Sequence, residues 1–112
     1  VTRQNRRMNG WKKLTVDELK RIEQKNIKKF GELTCCYCKT PFRKLLHITK
    51  VIQIEHLTPL NRGGQHTVRN LDFACIYCNS YKGTMKKSEF LSSDRFKESV
   101  KTVRRKIKER NA

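Results

Sequence analysis

Two cysteine pairs share one internal spacing, Cys35-Cys36-Tyr37-Cys38 and Cys75-Ile76-Tyr77-Cys78, with 36 residues, 39 through 74, between them. A C-x2-C turn aims two sulfurs at one ion, and a second such turn completes a tetrahedral thiolate shell. A disulfide pair, a redox C-x2-C or buried small apolar residues would use the same letters. Two matched pairs in a short, strongly basic chain favour structural Zn²⁺ held by Cys35, Cys38, Cys75 and Cys78. With sulfur at all four positions no place is open to a substrate, so this metal is expected to support the fold alone. Cys36 is read as a spectator thiol.

Such a metal would answer a shortage of core. The chain has 112 residues, 36% of them hydrophobic, which suits one domain with a thin interior. A structural zinc contributes on the order of 10 kcal/mol to folding in zinc-finger peptides. No apolar run nears the ~18 residues of a membrane span, and the start, Val1-Thr2-Arg3-Gln4-Asn5-Arg6-Arg7, is basic with no apolar stretch behind it. No membrane partner is expected, and the location expected is intracellular. Against 10 Asp and Glu stand 27 Lys and Arg, a formal net charge of +17. An imbalance on this scale points to a polyanion, here nucleic acid.

The chain reads as a single domain. A basic arm over 1–14 carries Arg3, Arg6, Arg7, Lys12 and Lys13 around Trp11. Thr15-Val16-Asp17-Glu18 is a capping box, followed by Val16, Leu19, Ile22 and Phe30 at near-helical spacing, so 15–31 is a helix stopped by Gly31. Toward the other end, Ser92-Ser93-Asp94 opens a second helix over 93–109, with Phe96, Val100, Val103 and Ile107 on one apolar stripe. Its other faces carry Arg95, Lys97, Lys101, Arg104, Arg105, Lys106, Lys108 and Arg110, which suit solvent or phosphate equally well. Between the helices, Lys50–Glu55 fits a strand, Leu57–Gly64 a loop, Asn70–Ala74 a second strand and Cys78–Lys82 a short helix ending near Gly83.

The acids are placed unevenly. From Glu32 to Asp72 a single carboxylate intervenes, Glu55, among Lys39, Arg43, Lys44, Lys50, Arg62 and Arg69, and His56 follows it directly. A carboxylate kept on a phosphate-binding stretch suits a divalent cation that itself contacts phosphate. A neutral imidazole beside it can take a proton from water near pH 7. Taken alone the dipeptide decides nothing, since an exposed Glu beside a structural His looks the same.

The surrounding motifs supply the context: Glu55-His56-Leu57-Thr58-Pro59, Gly63-Gly64, Asn70-Leu71, Cys75-x2-Cys78-Asn79 and Lys82-Gly83, preceded by Cys35-x2-Cys38. This combination over 33–84 resembles the HNH endonuclease family, the zinc-knuckle branch of the ββα-metal (His-Me finger) nucleases. The resemblance implies an α+β fold: a small ββα-metal module with a four-cysteine zinc site, flanked by N- and C-terminal helices. It implies His56 as the general base that activates water, Asn70 as the residue that braces the base's loop, and Glu55 and Asn79 as ligands of one catalytic Mg²⁺ or Mn²⁺. Glu stands where the family usually has Asp, and Asn where a final His is common; both departures favour a hard ion over Zn²⁺ or Ni²⁺.

Arg62, Arg69 and Lys82 are the expected nucleic-acid contacts, Lys82 and Arg69 as phosphate clamps. His47 and His66 fit no template; of the two, His66 is the better outside candidate because it lies in the loop between the metal residues. Tyr37 and Tyr77 are expected to pack around the zinc. The activity implied is metal-dependent hydrolysis of phosphodiester bonds in double-stranded DNA, in a module that serves restriction, homing, phage DNA packaging and defence. A non-catalytic zinc-ribbon or treble-clef DNA-binding module would account for the cysteines and the charge. An RNA-binding zinc protein would account for the charge while leaving Glu55 without a reason.

Overall fold

A computed structural model describes residues 13–111. Most of the expected basic arm, Trp11 included, lies outside the described residues. Helix α1 spans Val16–Phe30. Its first turn is closed reciprocally: the Glu18 N–H donates to Thr15 Oγ1 at 3.0 Å and the Thr15 N–H to Glu18 Oε1 at 2.9 Å. Gly31, at φ 90°, takes the left-handed conformation that ends the helix, its N–H bonding to Ile27 O.

Of its apolar residues Ile22 is buried and Leu19 and Phe30 are half-buried. Val16 is 71% exposed and only Ile22 and Asn26 are buried. The attachment is largely polar. Asn26 Nδ2 donates to Thr34 O and to Asp72 Oδ1, both at 2.8 Å, while its Oδ1 accepts the Thr34 N–H at 2.9 Å. Lys25 Nζ reaches the carbonyls of Val68 and Leu71 at 2.8 and 2.6 Å. A buried amide with its donors and acceptor engaged costs little and fixes orientation, a role that apolar contacts, being non-directional, fill less well.

Strand β1, Ile52–His56, pairs antiparallel with β2, Leu71–Cys75, in a register that sets Ile52 opposite Cys75, Glu55 opposite Asp72 and His56 opposite Leu71. Both strands lie one or two residues later than the sequence suggests. Helix α2, Ile76–Lys82, follows β2 without a linker, and Gly83 ends it at φ 55°. The expected strand, loop, strand and helix thus form a ββα unit, with α2 packed on both strands.

A five-residue helix, α3 (Lys87–Leu91), has no counterpart in the sequence reading; it buries Phe90 and is too short for periodicity to reveal. Helix α4, Asp94–Asn111, starts where the Ser92-Ser93-Asp94 signal places it and packs along α2. Val103 of its stripe is buried, and Phe96, Val100 and Ile107 are half-buried. The core is small and cysteine-rich: Cys35, Cys36, Cys75 and Cys78 share it with Tyr37, Phe42, Leu45, Phe90 and Val103.

Candidate active site and metal centre

The two C-x2-C turns meet. The first lies in the loop after α1, tied to β2 by the Cys36 N–H donating to Phe73 O at 2.9 Å. The second straddles the junction of β2 and α2, where Cys75 caps the helix and its sulfur accepts the Cys78 N–H at 3.4 Å. The Sγ atoms of Cys35, Cys38, Cys75 and Cys78 all lie within 4.8 Å of one another, with Cys38 and Cys75 at 4.0 Å. Tetrahedral coordination at a Zn–S length of about 2.3 Å places sulfurs about 3.8 Å apart, so the donor set fits a metal ion.

Without an ion the crowded thiols hold one another's protons unequally. Hydrogen bonding to Cys35, then to Cys75 and Cys78, holds the Cys38 thiol far below the usual range, while bonding to Cys35 and Cys38 pushes Cys75 and Cys78 up. Four sulfurs this close need a cation to ionise together. Ser99 of α4, fully buried, donates to Cys78 Sγ at 3.1 Å and so ties the C-terminal helix to the centre. Cys36 faces the core, its thiol pushed well up by burial.

Asn70 sits where the loop between the strands closes. Its side chain brackets Thr58 from both sides, Oδ1 accepting the Thr58 N–H and Nδ2 donating to Thr58 O, each at 2.9 Å, and Nδ2 also reaches Gln65 O at 2.9 Å. Gly64 makes this closure possible: a Cβ there would stand 1.9 Å from Thr58 O and 2.9 Å from Asn70 Nδ2. Through these bonds the Asn70 side chain ties the two ends of the loop together.

His56 ends β1 at the mouth of this loop. With Glu55, Pro59, Leu60, Asn61, Lys82 and Gly83 it walls a cavity of about 310 Å³. Burial first, then the charges of His66 and Lys82, lowers His56 to about 4, so the ring is neutral at neutral pH. Its Nε2 lies 2.9 Å from Nδ1 of His66, the loop histidine that no motif claims. By contrast His47 is a docking residue, its Nε2 3.0 Å from Lys106 O on α4.

Around Glu55 the structure departs from the sequence reading. Lys82 Nζ lies 2.8 Å from Glu55 Oε2 and donates to His56 O at 3.2 Å; it is a buried ion-pair partner, not a cation facing solvent or phosphate. Tyr37, expected at the zinc, sends its hydroxyl to the same Glu55 oxygen at 3.0 Å. Tyr77 is half-buried against the core. Burial raises the Glu55 carboxyl, opposed by the hydrogen bond and charge of Lys82, by Tyr37 and by the His56 backbone.

One turn earlier on α2, Asn79 Nδ2 donates to Gln53 Oε1 at 2.8 Å. Gln53 and Glu55 share a face of β1, and Asn79 and Lys82 share a face of α2, so the two contacts are successive rungs between strand and helix. Glu55 and Asn61 wall the cavity while Asn79 is not among its lining residues; the side-chain oxygens of all three are hard donors of the kind Mg²⁺ and Mn²⁺ take.

Besides Lys82 in the cavity wall, Arg62 and Arg69 lie on the loop between the strands and Arg95 lies near Gly83. Arg62 forks onto both Glu89 oxygens, at 3.2 and 3.0 Å, and bonds Thr84 O. Arg69 is exposed. Arg95, on the first turn of α4, brings Nη1 to 3.7 Å from where a Cβ on Gly83 would stand, and Gly83 walls the cavity. No helix among the described residues is long and apolar enough to cross a membrane. No curated protein matches the chain. A family model described as HNH endonuclease matches residues 35–94, which is 60 of the 112 residues and takes in both cysteine pairs, His56 and Asn70.

Proposed function

Because the chain belongs to the HNH endonuclease family, we propose that it is a metal-dependent DNA endonuclease that hydrolyses phosphodiester bonds, with His56 as general base. What supports the reading is one juxtaposition: His56, held neutral, and Glu55, the carboxylate beside it, wall the same cavity at the end of β1. In this reading His56 takes the proton of a water aligned on phosphorus. Asn70, by bracketing Thr58, keeps the loop that follows the base in place. Glu55 and Asn79 would hold one Mg²⁺ or Mn²⁺, which would supply Lewis-acid chemistry at the phosphate. The four cysteines hold a structural zinc that keeps β2, α2 and α4 in register with the first knuckle.

Substrate is gripped through its backbone by Arg62, Arg69 and Arg95 around the cavity. Lys82 leaves the list of phosphate clamps and becomes the counter-ion of Glu55. That same ion pair favours a second reading, a non-catalytic zinc module that binds DNA, because it engages the carboxylate that would hold the metal. The two part on supercoiled plasmid with Mg²⁺ or Mn²⁺. Nicking or linearisation stopped by EDTA is expected; a shift of the DNA without cutting would support the binding module.

A further inference from the structure

We infer that His66 is a positioning residue for His56: its Nδ1 accepts the His56 Nε2–H, holding His56 in the tautomer whose proton-accepting nitrogen is Nδ1. The inference rests on the reading of His56 as the base. The two rings face each other with the nitrogens 2.9 Å apart and the centroids 5.1 Å apart. Where two imidazoles meet nitrogen to nitrogen at this distance, one nitrogen donates and the other accepts. If His66 donated, His56 would turn its Nε2 lone pair toward His66 and carry its proton on Nδ1, with neither nitrogen able to receive one from water. The opposite arrangement puts the His56 proton on Nε2 and its lone pair on Nδ1, as the reading of His56 as the base requires.

The loop is built to hold His66 in place. Its two neighbours are both tied to Asn70: Asn70 Nδ2 donates to Gln65 O, and the Asn70 N–H to Thr67 O, each at 2.9 Å. His66 is thus clamped between two anchored carbonyls, two residues beyond the Gly64 close contact. Asn70 accordingly serves the base twice, through Thr58 after His56 and through the backbone on either side of its partner.

The test uses the full zinc-loaded chain with His66→Leu, which removes the acceptor, and His66→Asn, which keeps an amide near the position of Nδ1. Kinetics on plasmid with Mg²⁺ are expected to show kcat lowered about 10- to 100-fold in His66→Leu, a part of the ~10²–10⁴ a positioned base contributes. KM and zinc content should be unchanged, and His66→Asn should recover most of the rate. ¹⁵N shifts of the imidazoles, read without Mg²⁺, should give His56 as the Nε2–H tautomer in the wild type and as a mixture in His66→Leu. An Nδ1–H tautomer in the wild type, or a full rate in His66→Leu where His56→Ala is inactive, would overturn the inference. If His56→Ala itself cleaved at the wild-type rate, the base reading would fall first, and the ¹⁵N tautomer would still report separately on the hydrogen bond.

Discussion

The ammonium of Lys82 lies 2.8 Å from Oε2 of Glu55, with 1% and 9% of the two side chains exposed. The pair joins the last turn of α2 to the end of β1, and Tyr37 and the His56 carbonyl complete its hydrogen bonds. Such a pair adds little net stability over an apolar substitute, yet losing one partner strands a buried charge. Lys82→Met is therefore expected to lower the unfolding free energy by about 3–5 kcal/mol. Glu55→Gln should cost less, and adding it to Lys82→Met should restore much of the loss. Urea unfolding of the zinc-loaded proteins measures all three; two additive single effects would show that the pair is not coupled.

The thiolate cluster predicts a metal-dependent fold. Cys75→Ser is expected to lose the ion and the cooperative thermal transition, since a site of this kind supplies on the order of 10 kcal/mol. Cys36→Ala should keep one zinc per chain, because its sulfur stays outside the cluster. Elemental analysis together with a melting curve checks both; a normal melt in Cys75→Ser would remove the metal from the account.

Gly64 and Gly31 separate close approach from backbone strain. Gly64→Ala pushes a methyl into Thr58 O and should cost at least the ~1–3 kcal/mol of an overpacked site while disrupting the Asn70 bracket. Gly31→Ala meets nothing within 4 Å and pays only for its φ of +90°, about 1–2 kcal/mol. Cleavage should fall in the first variant and persist in the second.

Arg95 is expected to contact a phosphate. Arg95→Ala should weaken DNA binding uniformly across sequences and reduce the slope of log affinity against log salt by about 1. A titration of one duplex at several salt concentrations measures the slope, and an unchanged slope would take Arg95 off the DNA.

Features encoded by local spacing were legible in the sequence. The Thr15–Glu18 capping box, the C-x2-C turns, the two short strands and the Ser92-Ser93-Asp94 helix start each depend on residues within a few positions of one another, and the structure places them within one or two residues of expectation. What escaped depends on distant partners. Lys82, in a chain with 27 basic residues, gives no sign that a carboxylate at position 55 awaits it. Tyr37 beside a zinc cysteine looks like a zinc-packing residue, yet its hydroxyl is fixed by Glu55. Asn26 reads as a polar helix residue and is the buried hub that joins α1 to β2 through Asp72.

The candidate site divides along the same line. Glu55, His56 and Asn70 stand in a motif, which marks them as candidates from sequence alone. His66 became visible only once the loop closed on Asn70, since its distance from His56 in sequence is arbitrary while its distance in space is that of a hydrogen bond. Arg95 lies just past the residues that match the family, on a helix whose cations all look alike until α4 is laid along α2.

The decisive measurement is cleavage of supercoiled plasmid in Mg²⁺ by the wild-type chain and by His56→Ala, with zinc content and DNA affinity held equal. The wild type should nick or linearise the plasmid and lose that activity to EDTA, and His56→Ala should bind as well and cut at least about 100-fold more slowly, the lower end of what a positioned base contributes. Cleavage by His56→Ala at the wild-type rate would contradict the assignment of His56 as the base.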